Sequence, residues 1–198
     1  MRRLALLTGL IGAVAAFPAG AQMFGKTPKM DPVAYDTIQL YTRVCVSTRG
    51  DSTRIVSIMG EKNDATVEKM DEKLVLALQN DQPGGRGWTV RMPLGETLLV
   101  ETAPNDTCVV RAPRVNANAL DAAFVGLIDQ LGSSGQFKAK RVSDDRKTLN
   151  KRAYHFMTYH LNLPDTGETA ELGLATTEAK DTSVQATMTY VILRELPQ

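Results

Sequence analysis

The sequence predicts an α+β fold: an antiparallel sheet made of two meanders, covered on one face by helices and stapled by one disulfide. Three observations carry this. Apolar residues recur with helical spacing before residue 80 and again at 119–131. They alternate with period two across 88–111 and through the last third of the chain. Cys45 and Cys108 are the only cysteines, and the N-terminus carries an export signal, so the even pair reads as a bridge.

The export signal comes first. Arg2 and Arg3 lead into an uncharged apolar run, residues 4–16, which Pro18 breaks. Ala19-Gly20-Ala21 then supplies the small residues that a signal peptidase needs. The run is shorter than the roughly 20 residues that span a bilayer, and no later stretch replaces it, so no stable membrane span is expected. Residues 1–21 are read as a signal peptide, 22–32 as a flexible leader and 33–198 as a single α+β domain. The expected location is the periplasm or the medium, with cleavage near Ala21.

Asp31 and Pro32 mark a helix start, a capping carboxylate followed by proline at the first helical position. Tyr35, Ile38, Tyr41, Val44 and Cys45 keep helical spacing up to Gly50. Asp51 or Ser52 caps a second helix at 53–59, stopped by Gly60. Asp64 is expected to cap a third, with Val67, Met70, Leu74 and Leu78 on one face. Residues 80–87, with several glycines and Pro83, read as a loop.

The period then changes to two. Strands are expected at 88–92, 97–101 and 107–111, separated by Pro93-Leu94-Gly95-Glu96 and Ala103-Pro104-Asn105-Asp106. Asn116 or Asn118 caps an amphipathic helix at 119–131, with Leu120, Ala123, Phe124, Leu127, Ile128 and Leu131 on its apolar face. Gly132-Ser133-Ser134-Gly135 ends it. Strands at 137–143 and 152–163 are expected to flank a polar turn around Asp144-Asp145-Arg146. Pro164-Asp165-Thr166-Gly167 is a turn by composition. Strands at 170–179 and 183–194 complete the second meander.

The formal net charge is +1, and removing Arg2 and Arg3 leaves the mature chain near −1. That balance gives no reason to expect nucleic acid as a partner. No cysteine follows the apolar run to carry a lipid. Closing the Cys45–Cys108 loop stabilises by about 4 kcal/mol in the chain-entropy model. The wide spacing argues against a redox pair, which is usually C-x-x-C.

Motifs for chemistry are sparse. His155 and His160 are the only histidines. Five apart on a strand, they point to opposite faces and cannot share one ion. No Glu or Cys lies at short metal-ligand spacing from them, so no metal and no cofactor is expected. Gln82-Pro83-Gly84-Gly85-Arg86-Gly87 resembles a phosphate cradle in composition but lacks its spacing and runs into a strand. No serine sits in a nucleophile elbow or an S-x-x-K pair, and Asp144-Asp145 reads as a solvated charge cluster. The concentration of aromatic and titratable rings in one strand makes Tyr154, His155, Tyr159 and His160 the candidate binding residues. Alternation puts Tyr154, Phe156 and His160 on one face, with His155 and Tyr159 on the other. Phe156 is expected to turn inward, leaving His155 and Tyr159 partly exposed.

The pattern Cys45 … Gly87-Trp88-Thr89-Val90 … Leu98-Leu99-Val100 … Asp106-Thr107-Cys108-Val109-Val110 resembles that of small, uncharacterised secreted or lipid-anchored proteobacterial proteins. The resemblance covers about residues 35–131 and carries no catalytic residue across. The chain departs from the lipid-anchored members by lacking the anchoring Cys. The expected function is non-enzymatic: binding of a protein partner or an envelope polymer. Two rivals are a carrier holding a small hydrophobic ligand between the 119–131 helix and the sheet, and a hydrolase whose site assembles in space.

Overall fold

Asp31 accepts a hydrogen bond from the Ala34 N–H at 2.9 Å and Pro32 follows it, so α1 (Pro32–Tyr41) starts where capping chemistry places it. The computed structural model describes residues 31–60, 66–103, 105–135 and 137–194. The expected signal peptide, the expected leader up to residue 30 and the expected cap at Asp64 lie outside the described residues. Beyond α1 the helix widens into a π-helical turn, Thr42–Val46, that ends near Gly50. Gly50 has φ +72°, and a Cβ there would meet the Asp106 carbonyl oxygen at 2.4 Å, so only glycine fits. Asp51 caps α2 (Ser52–Met59) through the Arg54 N–H.

The expected third helix is corrected. Val67–Lys69 is a strand, β1, paired antiparallel with β2 (Arg86–Arg91). The helix is shorter and later, α3 (Glu72–Leu78), capped by Asp71. The apolar spacing from Val67 to Leu78 runs across a strand and a helix, and each contributes part of a false helical period.

β2, β3 (Thr97–Ala103) and β4 (Thr107–Ala112) form the first meander. Asn116 caps α4 (Ala117–Ser133) through the Ala119 N–H. β5 (Lys138–Leu149), β6 (Arg152–Leu163), β7 (Glu168–Thr176) and β8 (Ala186–Leu193) form the second. β8 pairs antiparallel with β4, from Thr107 opposite Val191 to Ala112 opposite Ala186. The two meanders thus fuse into one sheet of order β1-β2-β3-β4-β8-β7-β6-β5.

The polar turn expected at Asp144-Asp145-Arg146 is also corrected. β5 runs straight through it, and the turn falls at Asn150 and Lys151, both with positive φ. Polar composition misleads here because β5 is an edge strand wet on both faces. Its charges and its bulge between Arg141 and Ser143 guard that edge against pairing with another chain.

Register sets the faces. Trp88, Val100, Cys108, Val110, Met188, Tyr190, Leu172, Leu174, Met157 and Tyr159 share the inner face. They form one buried core with Tyr41 of α1, Ile55 of α2 and Phe124 of α4. Cys45 at the π turn bonds Cys108 on β4, with Cα atoms 5.3 Å apart, within the range a disulfide needs. Short α3 lies on the reverse face. A Cβ on Gly87 would sit 2.9 Å from Val75 of α3, and the Arg111 guanidinium bonds both Glu101 and the Leu78 carbonyl there.

Two core tyrosines predict an alkaline limit. The Tyr41 hydroxyl donates to the Thr189 carbonyl at 2.7 Å, and burial pushes its pKa well above 10. Burial pushes Tyr190 up to about 12. Both bind their protons more tightly folded than unfolded, so their contribution is intact below pH ~10 and is lost as pH rises toward ~12. Denaturation followed at increasing pH should show stability falling across that window, together with tyrosinate absorbance. A flat profile to pH ~12 would contradict the burial of these hydroxyls.

Candidate functional site

β6 carries all four candidate residues, and the strand divides them. His155, Met157, Tyr159, Leu161 and Leu163 face inward; Tyr154, Phe156, Thr158, His160 and Asn162 face outward. The alternation is as expected, but the inward and outward sides are reversed. Tyr159 is buried, its ring 6.0 Å from that of Phe124, so it offers no binding surface. Phe156 turns outward instead. Met157, Leu161 and Leu163 decide the matter, because three aliphatic side chains outweigh one phenyl ring when a face is chosen.

His155 is enclosed on the inner side. Its Nδ1 lies 2.6 Å from Asp121 of α4, and its Nε2 lies 2.6 Å from Asp144 of β5. Asp121 also accepts from the Thr176 hydroxyl at 2.8 Å, and Asp144 meets Arg141. This network ties the first half of α4 to the end of the sheet. A shallow cleft of about 330 Å³ opens beside it, lined by Arg146, Tyr154 and Glu178 among others. Both imidazole nitrogens are engaged by carboxylates, so neither faces a hydroxyl nucleophile. Among the described residues, no group of His, Cys, Asp and Glu is arranged to hold a metal ion.

The outer side of β6 is different. The Tyr154 and Phe156 rings stack with centroids 6.0 Å apart and planes 28° apart. Across the β5 register, Lys147 lies opposite Tyr154, Ser143 opposite Thr158, Lys140 opposite His160 and Lys138 opposite Asn162. On the other side, small Gly173 and Ala175 of β7 lie opposite Thr158 and Phe156. A Cβ on Gly173 would approach the Thr189 hydroxyl to 2.5 Å, so a larger residue there would force Thr189 to turn. Ser143, Thr158, Gly173 and Thr189 therefore make a low polar row beside the aromatic pair. His160 sits at its margin, 3.2 Å from Glu171. α1 and α4, the long helices on this half of the sheet, both pack on the inner face.

Charge distinguishes this hairpin from the rest of the chain. Residues 138–152 hold seven Lys and Arg against two Asp, a net +5 in a chain whose total is +1. Arg141, Lys147 and Arg152 have carboxylate partners. Lys138, Lys140, Arg146 and Lys151 have no ion-pair partner among the described residues. The whole-chain charge conceals this segment; a window of fifteen residues would have revealed it. Sequence reasoning also missed Phe156 as an outer residue, with Asp145 opposite it, Lys147 opposite Tyr154, and Lys140 and Lys138 further along the same face.

No protein-family model, no curated protein and no solved structure matches the chain.

Proposed function

We propose that this is a non-enzymatic periplasmic or secreted protein that binds an anionic envelope polymer on the outer face of β5 and β6. One observation carries the reading: a half-buried aromatic pair on the outer face and a net charge of +5 occupy the same hairpin. Stacked rings accept the flat C–H face of a sugar, and flanking lysines attract its acid groups. Serine and threonine hydroxyls beside the rings suit sugar hydroxyls. The disulfide is compatible with an oxidising extracellular compartment.

The rivals have less to support them. A carrier needs space between α4 and the sheet, where fully buried Phe124 packs against Tyr41 and Tyr159. A hydrolase using His155 needs a free ring nitrogen, and both are held by carboxylates.

The test is retention on a polyuronate surface against a neutral dextran surface. Wild type should bind the polyuronate and weaken as salt screens the lysines. The pair Lys140→Glu with Lys147→Glu should lose about tenfold or more in affinity, and Tyr154→Ala several-fold. All these positions lie on a wet face, so the fold should survive. Equal binding to dextran, or no loss in either variant, would contradict the proposal.

A further inference from the structure

A second, separate feature lies at the far end of the first meander. Among the described residues, two buried polar atoms without a hydrogen-bond partner, the Thr102 hydroxyl and the Gln79 side-chain oxygen, belong to one corner. They are neighbours, since the Gln79 amide donates to the Thr102 carbonyl at 3.2 Å. A buried hydroxyl left unpaired is destabilising, so such atoms call for an explanation. Thr102 is 2 % exposed, and it lines the wall of an open cleft of about 460 Å³.

The cleft's other walls have a definite chemistry. The first turn of α2 supplies the hydroxyls of Ser52 and Thr53, and Val56 one turn later supplies an apolar patch. Gly84 contributes bare backbone, and Arg86 a guanidinium. The size falls within the usual range for small-molecule sites. Three hydroxyls, an apolar patch and a guanidinium match a ring that carries hydroxyls on its edge and C–H groups on its face. The Asp51 carboxylate that caps α2 works against a multiply charged anion here.

We infer that the cleft between α2 and the β2–β3 end binds a single sugar residue, neutral or singly acidic, with Thr102 as its innermost hydrogen-bond partner. A sugar hydroxyl is both donor and acceptor, so it can complete the orphaned Thr102 hydroxyl whichever way that group turns. The inference does not depend on the outer face of β5 and β6, which lies across the sheet.

Calorimetric titration of the mature protein with glucose, glucuronate and inorganic phosphate tests it. Glucose or glucuronate should saturate one site with a dissociation constant on the order of 1 mM, and phosphate should not. Thr102→Val should weaken that binding about tenfold while leaving the thermal midpoint unchanged or raised, because it removes an unpaired buried hydroxyl. Ser52→Ala should weaken it too. Lys140→Glu with Lys147→Glu should leave it unchanged, which separates this site from the polymer face. Saturation by phosphate alone, by no probe, or with equal affinity in Thr102→Val would overturn the inference.

Discussion

Replacing Phe124 with alanine should lower the unfolding free energy by about 3–5 kcal/mol, as for a fully buried aromatic. Phe124 has no exposed surface and lies on the inner stripe of α4 with Leu120, Leu127 and Ile128. Its ring meets Tyr41 of α1 at 6.4 Å and Tyr159 of β6 at 6.0 Å. It therefore joins two helices and the sheet at one point. Tyr41 is held by its bond to the Thr189 carbonyl, so it cannot swing to fill the gap, and a cavity should persist. Urea denaturation with an unchanged slope measures the loss. A value below about 1 kcal/mol would mean that the ring is not buried in solution.

Removing the disulfide should cost a similar amount. The bridge closes a separation of 63 residues, which corresponds to about 4 kcal/mol of lost unfolded-state freedom. The enclosed segment contains α2, α3 and the strands β1 to β3. The bond ties all of this to β4, the strand through which the two meanders meet. Cys45→Ala with Cys108→Ala should show the loss by denaturation, and reduction of the wild type should approach it. Both sulfurs are fully buried, so the oxidised folded protein should resist mild reductant until it opens. A midpoint unchanged in the double variant would contradict a structural bridge.

Much of the fold was legible because its signals were local. Asp31-Pro32, Asp51 and Asn116 are caps that work through the next few residues, and each helix starts where its cap lies. The period-two segments at 88–92, 97–101 and 107–111 became strands because their alternate residues enter one core. The failures came where the answer depended on distant chain. Val67–Lys69 is a strand only because β2 lies beside it. Asp144 and Asp145 sit in a strand because β6 holds them in register while water wets them. The β4–β8 pairing links residues too far apart in sequence for any local pattern to announce.

The candidate site shows the same division. Alternation placed Tyr154, Phe156 and His160 together, since that follows from strand geometry alone. Which side was inner depended on a comparison of both sets along the strand. Met157, Leu161 and Leu163 favour the His155 side; Thr158, His160 and Asn162 favour water. Weighting Phe156 alone reversed the result. The partners of His155 were illegible, because Asp121 and Asp144 come from two other elements.

The most direct test of the central claim is to map where an anionic polymer touches the protein. Backbone amide shifts of the labelled protein, followed while a short polyuronate is added, give that map. The account predicts saturable shifts confined to β5 and β6, centred on Lys140, Lys147, Tyr154, Phe156 and His160, and reversed by added salt. Shifts centred on α1 and α4, or no shift at any polyuronate concentration, would contradict it.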